Sequence, residues 1–181
     1  MGNSSSTITT DLLEEYNVLT YLTKSEILSL YKLFNQIEGG ANGKVSVEKL
    51  EKKFPQLQVN PFRDRIYEVF SSEGDYKFSF EDLLDLCSVM SEKCPDSVKA
   101  AWAFRIFDFD GDNALGKDDL KQVIDRVTSR AGEIQTEQKE HIIEILLRNM
   151  DMEASGSVGQ IEFQHAVGKM AEFASSFTFR F

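Results

Sequence analysis

Carboxylate side chains recur at alternate positions in one twelve-residue stretch, 108–119, and carboxylates at this spacing could bind a divalent cation. Aspartates fill the first, third and fifth positions, a main-chain carbonyl lies at the seventh, and another carboxylate stands at the twelfth. A hard cation needs a cage of oxygen atoms, and a tight turn supplies one from a short piece of chain. The stretch therefore predicts a metal site with the protein ligands Asp108, Asp110, Asp112, Ala114 and Asp119.

This spacing is that of an EF-hand calcium loop, and the stretch departs from the usual loop at two positions. The sixth position usually holds Gly, and Asn113 is the residue next best able to adopt the positive φ needed there. The twelfth position usually holds a bidentate Glu, whereas Asp119 is one methylene shorter and should reach the ion through one oxygen. A water should fill the ninth position, at Gly116. Six-fold geometry of this kind suits Mg²⁺, or weakened Ca²⁺ binding.

A second metal loop is predicted at residues 151–162, where Gly156 occupies the sixth position and an apolar residue the eighth. Three acids stand among its ligand positions instead of four, so the site should attract a cation less strongly than an ideal loop. Its terminal Glu can still bind through both oxygens, and we expect the loop to bind Ca²⁺. The predicted ligands are Asp151, Glu153, Ser155, Ser157 and Glu162.

Two earlier stretches have the shape of the same loop without its ligands. In residues 38–49 the final ligand position is occupied by Lys49, a cation that would repel the ion. Residues 71–82 begin with Ser71 and place Tyr76 where the turn favours Gly. We therefore expect no metal in either of these loops.

The elements that must position the loops repeat along the chain. The apolar eighth positions of the four loops are separated by 33, 37 and 43 residues, which indicates four helix–loop–helix units. EF-hands pair through their loops, so the predicted fold is all-α, with four EF-hands in two pairs. An extra N-terminal helix precedes them and a hydrophobic tail follows. The predicted divisions are 1–22, the metal-free pair 23–92, the metal-binding pair 93–170 and the tail 171–181.

Composition limits the function. The chain has 181 residues and a net charge of −10, and so acidic a surface argues against nucleic acid. Cys87 and Cys94 are too few for a disulfide framework, which favours a reducing compartment. His141 and His165 have no evident nucleophile beside them, so we do not expect an enzyme. Without an apolar run of membrane-spanning length or a signal peptide, the sequence predicts a soluble intracellular protein.

The two ends of the chain carry separate signals. Met1–Ser6 fits the pattern for N-myristoylation at Gly2. One myristoyl chain holds a membrane only marginally, and no basic cluster follows, so stable localisation requires a partner. Residues 173–181 contain four Phe and almost no charge. This tail either completes the core or lies in a groove between EF-hand pairs until a target helix displaces it, and burial satisfies both interpretations.

Several motifs resemble one family over almost the full length of the chain, the calcium- and integrin-binding (calmyrin) proteins. They are Gly2-Asn3, the Asn-Pro helix at 60–66, and the segments 78–82, 103–110, 162–165 and 173–177. The shorter acid Asp119 is also a feature of that family. Calcineurin B and its homologues share the Asn-Pro helix and the myristoyl signal. The resemblance implies a calmodulin- or calcineurin B-like architecture with Ca²⁺ or Mg²⁺ in the third and fourth loops alone.

The same resemblance implies binding to cytoplasmic helices of membrane proteins, namely integrin α tails or mechanosensory transmembrane channel-like proteins. We therefore hypothesise a metal-tuned adaptor, monomeric or weakly dimeric, in the cytoplasm at the inner face of the plasma membrane. The alternatives are a calcineurin B-like regulatory subunit of an enzyme or transporter, and a plain calcium buffer. The amphipathic partner helix is expected in a groove lined by Phe104, Phe107, Ile124, Ile143, Leu147 and Phe163.

Overall fold

The computed structural model describes residues 8–37, 39–40, 43–130, 132, 134–170 and 172–178. These residues form helices joined by short loops, and the strands among them are two residues long. The prediction of an all-α EF-hand fold is confirmed. Among the described residues, no helix is both long and apolar enough to cross a membrane.

The described residues divide into two units, one within 1–60, 67–94 and 178, the other within 61–66 and 95–177. The predicted boundary between 92 and 93 lies two residues before the division that precedes Pro95. The turn and helix start at 61–66 belong to the second unit, although they precede most of it in the chain. This grouping matters because residues from 61–66 contact the third loop.

The first part of the chain contains six helices and two strands among its described residues. The predicted extra helix is present and ends three residues earlier than expected, at Leu19. The helix after Asn60-Pro61 begins two residues later than the Pro, at Arg63. The elements are α1 (Thr10–Leu19), α2 (Lys24–Gln36), β1 (Val45–Ser46), α3 (Val47–Glu51), α4 (Pro55–Gln58), α5 (Arg63–Phe70), β2 (Lys77–Phe78) and α6 (Phe80–Val89).

The second part repeats the helix–loop–helix order. The linker predicted from Thr128 to Gln135 separates the two middle helices, as expected. The elements are α7 (Asp96–Phe107), β3 (Ala114–Leu115), α8 (Lys117–Thr128), α9 (Thr136–Met150), β4 (Val158–Gly159), α10 (Gln160–Val167) and α11 (Phe173–Ser176).

The loops pair within each unit through two-residue antiparallel strands. β1 pairs with β2, placing Val45 opposite Phe78, and β3 pairs with β4, placing Leu115 opposite Val158. These four residues are the apolar eighth positions, and each is at most 1% exposed. The prediction that the loops pair through these positions is confirmed. In each unit the strand pair therefore anchors both loops to the core.

A capping box at the start of α2 matches the sequence prediction. The Thr23 hydroxyl accepts a hydrogen bond from the Glu26 N–H at 3.3 Å. The Glu26 carboxylate accepts bonds from the Thr23 N–H and hydroxyl, both at 2.6 Å, and from Lys93 Nζ at 3.0 Å. Led by the Thr23 hydroxyl, these donors lower the pKa of Glu26 to about 2. The ionised carboxylate is therefore part of the cap.

We predict that Thr23→Ala lowers the free energy of unfolding at neutral pH by about 1 kcal/mol, because the cap loses its hydroxyl. A carboxylate with a lowered folded-state pKa stabilises the fold above its ordinary pKa, about 4.5, and that contribution fades as the pH falls towards 2. The Glu26 side chain is 40% exposed, so solvent screening keeps the effect well below the full linkage value.

Urea unfolding of wild type and Thr23→Ala at a series of pH values measures the difference in their free energies of unfolding. The difference between the two proteins should shrink as the pH falls from 5 to 3. The exposed neighbour Ser25, changed to Ala, serves as the control and should show a smaller, pH-independent effect. A Thr23→Ala difference that does not vary with pH would show that Glu26 plays no part in the cap.

Candidate metal centre

The third loop brings three of its predicted ligands together at the end of α7. The Asp108 N–H donates to the carbonyl of Phe104 at 2.9 Å, so the first ligand is held to the end of the helix. Carboxylate oxygens of Asp108, Asp110 and Asp112 lie within 4.8 Å of one another. Oxygens bound to one Ca²⁺ at about 2.3–2.6 Å can be at most about 5 Å apart. The spacing of the three carboxylates therefore fits one divalent cation.

Backbone N–H groups orient the first carboxylate of this loop. Asp108 accepts hydrogen bonds from the N–H groups of Gly111, at 2.9 Å, and Asn113, at 3.1 Å. The φ of Asn113 is +66°, so the prediction that Asn takes the left-handed conformation of the sixth position is confirmed. Two N–H groups of the turn therefore point towards the Asp108 carboxylate, and Asp108 is only 6% exposed.

Asp119, at the twelfth position, closes the same loop from α8. It is 3% exposed, and its two oxygens accept bonds from the N–H groups of Phe109, at 2.9 Å, and Gly116, at 3.0 Å. Burial raises the pKa of Asp119; the two N–H groups oppose the rise, and the charges of Asp110 and Asp108 add to it. The ionised form of Asp119 is therefore less favoured here than in water. A bound divalent cation would supply a compensating charge.

In the fourth loop, oxygens of three predicted ligands converge. Asp151 accepts bonds from the N–H groups of Ser155, at 3.0 Å, and Gly156, at 2.8 Å. The Ser155 hydroxyl lies 3.4 Å from Asp151 Oδ1 and donates to the carbonyl of Ser157 at 2.9 Å. The N–H donors, with Gly156 first, hold the pKa of Asp151 below its ordinary value. The loop therefore offers an ionised carboxylate beside a hydroxyl and a carbonyl.

Glu162 closes the fourth loop as Asp119 closes the third. One carboxylate oxygen accepts from Met152, at 2.7 Å, and Glu153, at 3.1 Å, and the other accepts from Gly159 at 2.8 Å. These N–H groups, led by Gly159, lower the pKa of Glu162. The Glu153 side chain is exposed. In the part of the chain that the structure describes, three acidic side chains come this close in the third loop and not in the fourth.

Closure by the twelfth carboxylate also occurs in the second loop, which was not predicted to bind metal. Asp82 accepts bonds from the N–H groups of Ser72, at 3.3 Å, and Ser79, at 2.9 Å. The donors are the second and ninth loop residues, as in the third and fourth loops. This carboxylate therefore has a structural role of its own. From the sequence, the twelfth-position acids Asp119 and Glu162 were interpreted as metal ligands alone, although an acid at the twelfth position recurs in three loops.

A lysine of the first loop forms ion pairs with two acidic residues of the second loop. Lys44 Nζ lies 2.5 Å from a Glu73 oxygen and 3.4 Å from an Asp75 oxygen. The N–H of Lys77 and the charge of Lys44 lower the pKa of Asp75. The Lys44 ammonium group thus offsets the charge of the carboxylates at the third and fifth positions of the second loop. Of the first loop's remaining residues, Glu38, Ala41 and Asn42 lie outside the described residues.

Two loop residues adopt a left-handed conformation that is uncommon for their type. Tyr76 has a φ of +55° at the sixth position, so the second loop keeps its turn without the Gly that was expected to be needed. Ala154 also has a φ of +55°, at the fourth position, where the second and third loops have Gly74 and Gly111. An alignment of the loops by position would have shown that the fourth loop has Ala where the second and third loops have Gly.

The six residues predicted to line a partner groove lie in or beside the core of the second unit. Phe104, Ile124, Ile143 and Phe163 are at most 7% exposed and belong to its buried cluster. Phe107 and Leu147 are partly buried against that cluster.

The tail contacts this cluster through α11 and the residue that follows it. Phe173 lies 6.2 Å, centroid to centroid, from Phe163, and Phe177 lies 6.3 Å from Phe107. The described part of the tail thus covers two of the predicted groove residues. Gly2, the predicted acylation site, and the last two Phe of the tail, Phe179 and Phe181, lie outside the described residues.

The chain is similar to known proteins along nearly its whole length. The EF-hand domain pair family matches residues 98–168. Calcium and integrin-binding family member 2 of Drosophila melanogaster is 36% identical over 191 residues, covering 99% of this chain and 100% of that protein. The Mus musculus protein of the same name is 30% identical with the same coverage. Calcium and integrin-binding family member 3 of Homo sapiens is 32% identical over 189 residues, again covering 99% and 100%.

We predict that Asp119→Glu raises the ratio of Ca²⁺ to Mg²⁺ affinity at the third loop about tenfold, because the longer carboxylate can bind through both oxygens. The reciprocal change, Glu162→Asp, should lower the ratio at the fourth loop. Titration calorimetry with each metal measures both, and exposed Asp118→Glu is the matched control. An unchanged ratio in both variants would contradict the assignment of the twelfth position to the metal.

We also predict that Ala154→Gly stabilises the protein by about 0.5–1 kcal/mol. Gly adopts the left-handed conformation without strain, and this gain in free energy exceeds the cost of the extra conformational entropy that Gly gives the unfolded chain. Ala101→Gly, in the middle of α7, should instead destabilise by about 1 kcal/mol. Chemical unfolding in EDTA compares the two Ala→Gly changes, and destabilisation by both would show that Ala154 is not strained.

Proposed function

The chain belongs to the calcium and integrin-binding family, and we propose that it acts as a metal-tuned adaptor for a membrane protein. It is a calcium-binding regulatory protein of the EF-hand class. In the proposal, Ca²⁺ occupies the third and fourth loops, and Mg²⁺ occupies the third at resting calcium. The partner is an amphipathic cytoplasmic helix, from an integrin α tail or a transmembrane channel-like protein. The adaptor is a monomer or a weak dimer.

The observation that carries the proposal is the position of α11 against the rings of Phe107 and Phe163, which we call the aromatic face of the second unit. Phe173, the first residue of this short helix, contacts the ring of Phe163, and Phe177, the residue directly after the helix, contacts the ring of Phe107. A face that accepts a helix from its own chain has the shape and apolar character to accept a similar helix from a partner. We infer that a partner helix competes with α11 for Phe107 and Phe163.

The metal loops and this face share the same helices, which supports a metal-dependent affinity. Phe107 is the last residue of α7, which enters the third loop, and Phe163 lies in α10, which leaves the fourth. The loops are joined to each other by β3 and β4. A cation bound in either loop would fix the end of a helix that carries one of these rings, and so the position of that ring relative to α11. The coupling is therefore mechanical and local.

The proposed location is the cytoplasmic side of the plasma membrane. Acylation at Gly2 would provide one weak anchor, and the membrane-protein partner the second. Neither is sufficient alone, because a single myristoyl chain binds bilayers reversibly. Membrane residence would thus depend on the partner, and through it on metal.

An enzyme is less well supported than an adaptor. His141 and His165 are both exposed, and the two cysteines are buried. Burial raises the pKa of the Cys87 thiol, which opposes formation of a nucleophilic thiolate. The relatives described above are named for calcium and integrin binding and not for a catalysed reaction.

The proposal predicts that the double change Phe173→Ala and Phe177→Ala increases affinity for a partner helix about tenfold, because α11 no longer competes. The probes are two synthetic peptides, one with the amphipathic cytoplasmic helix of an integrin α tail and one with that of a transmembrane channel-like protein. Each is titrated by calorimetry in Ca²⁺, in Mg²⁺ and in EDTA. Affinity should be lowest in EDTA.

The control replaces two exposed apolar residues of α1, Val18 and Leu19, by Ala, which should leave binding unchanged. A calcium buffer without a target would bind neither integrin α nor channel-like peptides in any metal state, even with the tail changed. That result would overturn the adaptor proposal while leaving metal uptake intact.

A further inference from the structure

Two neighbouring charged residues of α5, Asp64 and Arg65, contact the two helices that flank the third loop. All of these residues belong to the second unit, although the loop begins more than forty positions later in the chain. We call Asp64 and Arg65 the α5 clamp. Neither residue was singled out as functional from the sequence.

Arg65 binds the end of the entering helix. Its guanidinium donates to the carbonyls of Arg105 and Ile106, both at 3.2 Å, and to the carbonyl of Asp108 at 2.5 Å. The last carbonyls of an α-helix lack partners within the helix, and its carboxyl end attracts positive charge. Arg65 thus caps α7 from another part of the chain. The cap includes the backbone of the first metal-loop residue.

Asp64 binds the leaving helix. Its carboxylate accepts two hydrogen bonds from the guanidinium of Arg126 in α8, at 2.5 and 2.8 Å, and Arg126 also donates to the carbonyl of Pro61 at 3.1 Å. The Arg126 guanidinium lowers the pKa of Asp64. A two-pronged contact of this kind fixes direction as well as distance.

Both arginines lie against the ring of the second loop residue, Phe109. The guanidinium carbon of Arg65 lies 5.3 Å from the centre of the Phe109 ring, and that of Arg126 lies 4.8 Å from it. The N–H of Phe109 donates to Asp119, the carboxylate that closes the loop. Arg65 therefore contacts the first and second loop positions directly, and the twelfth position is linked to it through Phe109.

We propose that the α5 clamp positions α7 and α8 so that the third loop is already arranged for metal, and thereby sets the affinity of that loop. The inference rests on the proposed metal-binding function. Its support is that, with the clamp formed, the Asp108, Asp110 and Asp112 carboxylates lie within the span of one ion. A loop held in this way loses less conformational entropy when the ion binds. Asp64 and Arg65 are positioning residues and supply no ligand.

Arg65 should affect metal affinity in two opposite ways. Its contacts position the loop and raise the affinity, whereas its positive charge repels a cation and lowers it. Arg65→Lys separates the two because it keeps the charge and loses the planar fork of donors. We expect Arg65→Lys to weaken Ca²⁺ and Mg²⁺ binding at the third loop about tenfold, the effect of losing hydrogen bonds from a charged group. Asp64→Asn should weaken it in the same direction.

The experiment is calorimetric titration of the full chain with CaCl₂ and, separately, MgCl₂. A Glu162→Gln background isolates the third loop, and an Asp108→Ala background isolates the fourth. Fluorescence of Trp102, the one Trp in the chain and a residue of α7, follows the helix independently. Arg63→Lys, an exposed residue of the same helix, is the control and should bind as wild type.

A loss at the third loop with the fourth loop unchanged supports the clamp. Arg65→Lys affinity within twofold of wild type at the third loop would overturn it. Equal losses at both loops would also overturn it, since general destabilisation would then explain the effect. Absence of metal uptake by the wild type would instead refute the proposed metal-binding function, so the two failures are distinguishable.

Discussion

Electrostatic repulsion among closely spaced carboxylates is the main energetic cost of the third loop. The contacts of the second unit hold these carboxylates together despite that cost. Two unit charges about 5 Å apart repel by about 1 kcal/mol in water and about 3 kcal/mol at the effective dielectric of a protein surface. Asp108 and Asp119 are nearly buried, so water screens them poorly. Backbone N–H groups offset part of this repulsion. A divalent cation would replace the remaining repulsion by attraction, which favours cation binding in this loop.

In the proposed mechanism, the effect of a bound metal reaches the aromatic face by a short route. β3 and β4 join the third loop to the fourth, while α7 and α10 carry rings that Phe177 and Phe173 contact. Each step is a direct contact between described residues of one unit. The structure thus places the metal loops, the apolar face and its cover within one small set of helices. This arrangement suits a protein that converts metal occupancy into affinity for a helix.

The sequence predicted features that repeat or that depend on residue type at a fixed loop position. The pairing of Leu115 with Val158 and the left-handed Asn113 follow from such local rules. Contacts between distant parts of the chain could not be predicted. Arg65 reaches carbonyls some forty residues away, and Lys44 reaches the acids of the next loop. Such contacts depend on how helices pack, which hydrophobic periodicity does not specify. The strain at Ala154 was missed for a different reason, because its loop was compared by ligands alone.

The most direct test of the account is the number of Ca²⁺ ions bound per chain, measured by calorimetry on the wild type and on Asp108→Ala and Asp151→Ala. The account predicts two ions for the wild type and one for each variant, with the site in the unaltered loop retained. No uptake by the wild type, or uptake unchanged by Asp108→Ala, would contradict it.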